Sequence, residues 1–119
     1  MERSEELFEN LKDTILNYAM RIKEIELFGE QIRQNSNHFI NERKMFSMET
    51  FARNCDTVLN LMKNTDLSVL EIEAIDWFLD GLTISEIARR TSLSRQSCYP
   101  LLDQIISRMV ETYTQIVGE

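Results

Sequence analysis

Residues 67–109 read LSVLEIEAIDWFLDGLTISEIARRTSLSRQSCYPLLDQIISRM, and three helix beginnings fall inside this stretch. Ser68 and Glu71 have the S-x-x-E spacing of a capping box, with Leu67 before the cap and Ile72 at the fourth helical position as a hydrophobic staple. Thr83 and Glu86 repeat the box, and Leu82 and Ile87 repeat the staple. The third beginning is at Ser94, a good N-cap oxygen, with Leu93 and Cys98 in the staple positions. Gly81 stands where a left-handed residue closes the first of these helices. Beginnings this close together leave room only for a very short middle helix.

That spacing suits a helix-turn-helix. The middle helix, roughly Ile84 to Arg90, would cross a DNA backbone, and the helix after Ser94 would enter the major groove with its first residues toward the base edges. Ile84, Ile87 and Ala88 face inward, Leu93 plugs the turn, and Cys98 and Leu102 face back into the core. Arg95, Gln96 and Tyr99 lie on the first turns of the probing helix. Arg95 suits a guanine and Gln96 an adenine. Arg89, Arg90, Ser92 and Ser94 are better placed for phosphates. Polar residues on an isolated helix surface are ordinarily just solvated. The surrounding motif is what singles these out.

The run EIARRTSLSRQSC resembles the E-I-A-x-x-x-x-[hydrophobic]-S-x-x-x-[hydrophobic] core of sigma-factor region 4 and of the LuxR-type regulators. LSVLEIEAIDWFLDGLTIS is similar to the helix that precedes it in those families. The layout, a helical N-terminal part followed by a sigma-like head, also resembles phage-encoded late-transcription regulators of the ArpU kind. The resemblance covers residues 67–109. It implies a DNA-binding transcription regulator, encoded by a phage or mobile element, with double-stranded DNA as partner. Pro100 departs from the pattern, because relatives usually place a DNA-reaching residue there. It has no amide hydrogen for the carbonyl of Gln96, so either the helix kinks there or its regular part starts near Ser97.

The chain has 119 residues, 43% of them hydrophobic, with three Gly and one Pro; these values fit an all-α chain with a real core. The first residues are acidic and carry no apolar run, which argues against a signal peptide, and no stretch is long enough to span a membrane. Cys55 and Cys98 are far apart with no ligand-spaced partner, so they read as reduced core thiols of a cytoplasmic protein. The net charge of −7 opposes phosphate binding. Between Leu82 and Leu102, however, three arginines stand against one glutamate, a local balance of +2. The acid is concentrated elsewhere: Glu71, Glu73, Asp76 and Asp80 on the head's first helix, and Glu2, Glu5, Glu6, Glu9 and Asp13 at the N-terminus.

Residues 4–34 predict one long helix capped by Ser4. Its seam, Phe8, Leu11, Ile15, Tyr18, Ile22, Ile25, Gly29 and Ile32, steps by threes and fours like a coiled coil. One reading pairs this seam with its copy, making Phe8, Leu11, Ile15, Tyr18, Ile22, Ile25 and Ile32 the contacts of a homodimer. The other folds it onto the next helix of the same chain. Leu7, Leu16, Ala19, Leu27 and Phe28 widen the apolar surface, so the helix meets more than one neighbour, and dimerisation is the favoured reading. Asn35–Asn37 reads as a turn, and Asn41–Phe46 as either the start of a helix or a loop with Phe39, Met45 and Phe46 tucked down. His38 has no partner for chemistry. Residues 48–63 predict a second helix capped by Ser47, suited to an antiparallel hairpin with the first.

The expected organisation is therefore a hairpin or coiled-coil dimerisation region over 1–65, then a helix-turn-helix domain over 66–119. The last helix of that domain runs to about Val117, its C-terminal half packing on the N-terminal helices or on a partner chain. No Gly-rich phosphate loop, metal-ligand spacing or paired nucleophile and base appears, so no catalytic residue, metal or cofactor is assigned. The rival to a regulator is an acidic interaction protein. It would keep the helix-turn-helix shape but bind RNA polymerase, a repressor or a packaging component.

Overall fold

The heptad spacing of the N-terminal third is realised as a single helix, α1 (Glu2–Gln34), followed by α2 (Glu42–Asn64), α3 (Val69–Leu79), α4 (Ile84–Thr91) and α5 (Arg95–Ile116). This computed structural model describes residues 2–34 and 42–118, with side-chain surroundings at 4–30 and 47–118. Among the described residues the fold is all-helical. The turn expected at Asn35–Asn37 and the placements of Ile32, His38, Phe39, Met45 and Phe46 fall outside what is described. The second helix begins at Glu42, so Ser47 lies inside it and caps nothing. Of the two readings of Asn41–Phe46, the helix holds from Glu42 onward.

α1 and α2 run antiparallel. Phe51 of α2 meets Tyr18, ring centroids 6.3 Å apart, and takes the Arg21 guanidinium over its face at 5.5 Å. At the other end Leu7, Leu11 and Asn10 line a small cavity of about 110 Å³ with Asn54, Thr57 and Tyr113. α1 also runs antiparallel to α5: Ser4 and Phe8 lie beside Ser107 and Val110, and Lys12 reaches Asp103. The N-terminal half of the seam is thereby used within the chain. Leu11 is 2% exposed and Ile15 0%, and neither can meet a second copy. Tyr18 is engaged by Phe51, Phe8 packs against the core, and Ile22 and Ile25 are half-buried.

One interior serves both sides of residue 65. Leu11, Ile15, Val58 and Leu61 from α1 and α2 join Ala74, Ile75, Phe78, Ile87, Cys98, Leu102, Ile105, Ile106 and Met109 in a continuous cluster. Of the apolar run on the C-terminal half of α5, Ile105, Ile106, Met109 and Val110 enter this interior, whereas Tyr113 and Ile116 are exposed. Two polar groups enter this interior already satisfied. Buried Thr14 donates to the carbonyl of Asn10 at 2.7 Å, and Thr65 donates to the Thr112 hydroxyl at 2.9 Å, tying the end of α2 to α5.

Candidate nucleic-acid interface

Both capping boxes are made in full. At α3 the Ser68 amide donates to Glu71 Oε1 at 2.8 Å, and the Glu71 amide donates to Ser68 Oγ at 3.2 Å. At α4 the Thr83 amide and hydroxyl donate to Glu86 Oε1 at 3.2 and 3.0 Å, and the Glu86 amide donates back to Thr83 Oγ1 at 3.2 Å. Between them α3 closes on Gly81, φ +81°. The Gly81 amide donates to the Phe78 carbonyl at 3.0 Å and the Leu82 amide to the Trp77 carbonyl at 3.1 Å. These two bonds form a Schellman motif. Glycine is required here for a second reason. A Cβ at this position would stand 2.9 Å from the Cβ of Ala19, so α1 presses directly on the α3–α4 turn.

The α4–α5 turn departs from expectation in two ways. Leu93 does not plug it; that side chain is 36% exposed. The turn is held instead by the backbone, with Ser92 in the left-handed region at φ 59°, and by Thr91. The Thr91 hydroxyl donates to the Ile87 carbonyl at 2.8 Å and accepts the Leu93 amide at 3.3 Å. Ser94 has N-cap backbone angles, but its hydroxyl pairs with the Ser97 hydroxyl at 2.9 Å and caps no amide. α5 begins at Arg95, not near Ser97, and continues through Pro100. Gln96 and Pro100 are both exposed.

The predicted reading residues come together at one end of the molecule. Arg89 and Arg90 occupy the last turn of α4, Ser92 the turn, and Ser94, Arg95, Gln96 and Tyr99 the beginning of α5; all seven are exposed. Arg90 is not free in solution: its guanidinium lies over the Trp77 ring of α3, 5.6 Å from the centroid. Glu86, on the same short helix, is held below its ordinary carboxylate range, first by the Thr83 amide and then by the Thr83 hydroxyl, with a smaller effect of Arg89 and Arg90.

Two ion pairs that the sequence did not announce hold α5 from separate flanks. Asp103 pairs with Lys12 of α1 at 2.9 Å, and this bond is the main reason the Lys12 amine sits above its ordinary value. Arg108 pairs with Glu71 of α3 at 2.6 Å and also donates to the carbonyl of Asp66. Five residues along a helix is a rotation of about 140°, so α1 and α3 grip different sides of the probing helix. Glu71 is 6% exposed and its Oε2 has no partner among the described residues. Burial pushes its carboxyl up. The Ser68 amide, the Arg108 guanidinium and the Ser68 hydroxyl outweigh that and bring it below the ordinary value.

Among the described residues no cluster of three His, Cys, Asp or Glu is arranged to hold a metal, and no helix is long and apolar enough to cross a membrane. Cys55 and Cys98 are buried free thiols, and burial raises the Cys55 pKa. Comparison with protein-family profiles, with curated proteins and with solved structures returns no match.

Proposed function

We propose that this protein is a DNA-binding transcription regulator that reads duplex DNA with the beginning of α5. The observation that carries this reading is the arrangement of α4, the Ser92 turn and α5. A short helix ending in two arginines meets, through a tight turn, a second helix whose first residues are exposed. Arg95 and Gln96 project there with no bonding partner among the described residues, as a base-reading pair would need. Arg89, Arg90, Ser92 and Ser94 flank them as phosphate contacts, and Tyr99 closes the row. The three arginines sit on an acidic body, so affinity is modest for a single chain and depends on salt. Selection of bound duplexes from a random pool tests the reading. Enrichment of a common site that Arg95→Ala abolishes supports it. A folded protein that retains no duplex at low salt overturns it.

The proposal includes a homodimer, with its surface moved. Since Leu11 and Ile15 are interior, pairing falls to the outer stripe of α1: Leu16, Met20 (55% exposed) and Leu27 (61% exposed). Sedimentation of Met20→Glu beside the parent chain checks this, and an unchanged mass removes it.

One observation favours the rival reading, a protein-binding head. The outer face of α3 leaves Val69, Leu70 and Ile72 exposed beside Glu73, Asp76 and Asp80. Such a surface repels phosphate and suits a basic, apolar protein such as a polymerase subunit. Stoichiometric capture of a polymerase, lost in Ile72→Asp and retained after nuclease treatment, would decide for it.

A further inference from the structure

We infer that Trp77 is a positioning residue for Arg90, holding that guanidinium ready to clamp a DNA phosphate; this rests on the DNA-binding reading above. Trp77 is the chain's only tryptophan. Its backbone carbonyl is fixed in the Schellman bond with Leu82, and its side chain packs against the core, so the ring is anchored before any ligand arrives. Arg90 lies over this ring across the α3–α4 junction. The obvious competitor, Glu86 one turn earlier, spends its Oε1 on the Thr83 amide and hydroxyl and makes no ion pair with Arg90 among the described residues.

Lying over the ring at 5.6 Å, the guanidinium makes no hydrogen bond or ion pair among the described residues, so its N–H groups remain for a phosphate to take in a bidentate contact. A free arginine must give up its rotamer freedom to make such a contact, whereas one already held over a ring has given up part of it. Arg89 and Arg95, the other two arginines of the candidate interface, lie over no ring among the described residues. Arg90 is thus the pre-set contact, and the others adjust to it.

The test uses the full chain and a short mixed-sequence duplex, with binding followed by anisotropy from low to moderate salt. Trp77→Leu weakens binding about two- to fivefold, while Trp77→Phe, which keeps a ring, stays nearer the parent. In an Arg90→Gln background the Trp77→Leu change adds nothing further. Trp77 emission shifts on adding the duplex to the parent chain and does not shift in Arg90→Gln, a signature that a purely structural tryptophan would not give. If Trp77→Leu costs as much in the Arg90→Gln background, or the emission shift survives without Arg90, the inference is overturned. If the parent binds and Arg90→Gln binds equally well, the inference falls and the DNA reading stands. If the folded parent binds no duplex at all, both fall.

Discussion

The helices α3 and α4 begin with the same motif, and the two beginnings have different weight. Ser68–Glu71 and Thr83–Glu86 make the same reciprocal hydrogen bonds. Glu86 stops there, its carboxylate open to water. Glu71 goes on to bind Arg108, 37 residues later, from a buried position. The first box therefore does two jobs, starting α3 and locking α5 to it, and the second box only starts α4. A local motif fixes where a helix begins. What the helix is fastened to depends on which way the same side chain faces.

The sharpest way to break this contrast is to remove the distant partner. Arg108→Met strands a buried carboxylate and lowers stability by about 3 kcal/mol in denaturant unfolding. Arg89→Met, beside the exposed box, changes it by roughly 0.5 kcal/mol or less. The turn between the boxes comes next. Gly81→Ala puts a side chain at φ +81° and against Ala19, and loses about 2 kcal/mol by the same measurement.

Acid sharpens the contrast further. Glu71 is lowered in the folded chain, so its contribution is complete above the ordinary carboxylate range and is lost as pH falls through the lowered value. Unfolding curves taken downward from neutral pH should show that loss, and Glu71→Gln should flatten it. Glu86 is lowered too and has the same sign, but it is less buried than Glu71 and has no distant partner, so Glu86→Gln should flatten the curve less, and less again at high salt. Thr83→Ala removes a cap alone and costs about 1 kcal/mol. The smallest effect runs the other way: Ser92→Gly relieves a left-handed residue and raises the melting temperature, by about 0.5–1 kcal/mol of stability.

What the sequence made legible was local. The two boxes, the glycine closure of α3 and the continuity of α1 all depend on residues within a turn or two of one another and are present, although α1 is already helical at Glu2, so Ser4 lies inside it and does not cap it. The misplaced start of α2 has the same origin. Ser47 resembles a cap, but Glu42–Phe46 extend the helix past it, and a cap signal cannot outvote a helix already under way. The ties that orient the head, Glu71–Arg108, Lys12–Asp103 and Trp77–Arg90, join residues on different helices and leave no spacing to read. One hint existed. Glu71 falls in line with Ala74, Ile75 and Phe78 on the inward face of α3, so its burial was there to be found, though not its partner. The α1 seam shows the same limit. Steps of three and four define a face, but they do not say whether that face meets a neighbour in the same chain or in another.

The shared interior has a practical consequence for anyone who would borrow the head. Leu11 and Ile15 lie among the same side chains as Ile105, Ile106 and Met109. A fragment cut at Thr65 would carry α5 away with that surface bare and prone to clumping. A chimera joining the head to a foreign effector must therefore bring α1 and α2 with it, and the smallest transplantable unit is the whole bundle.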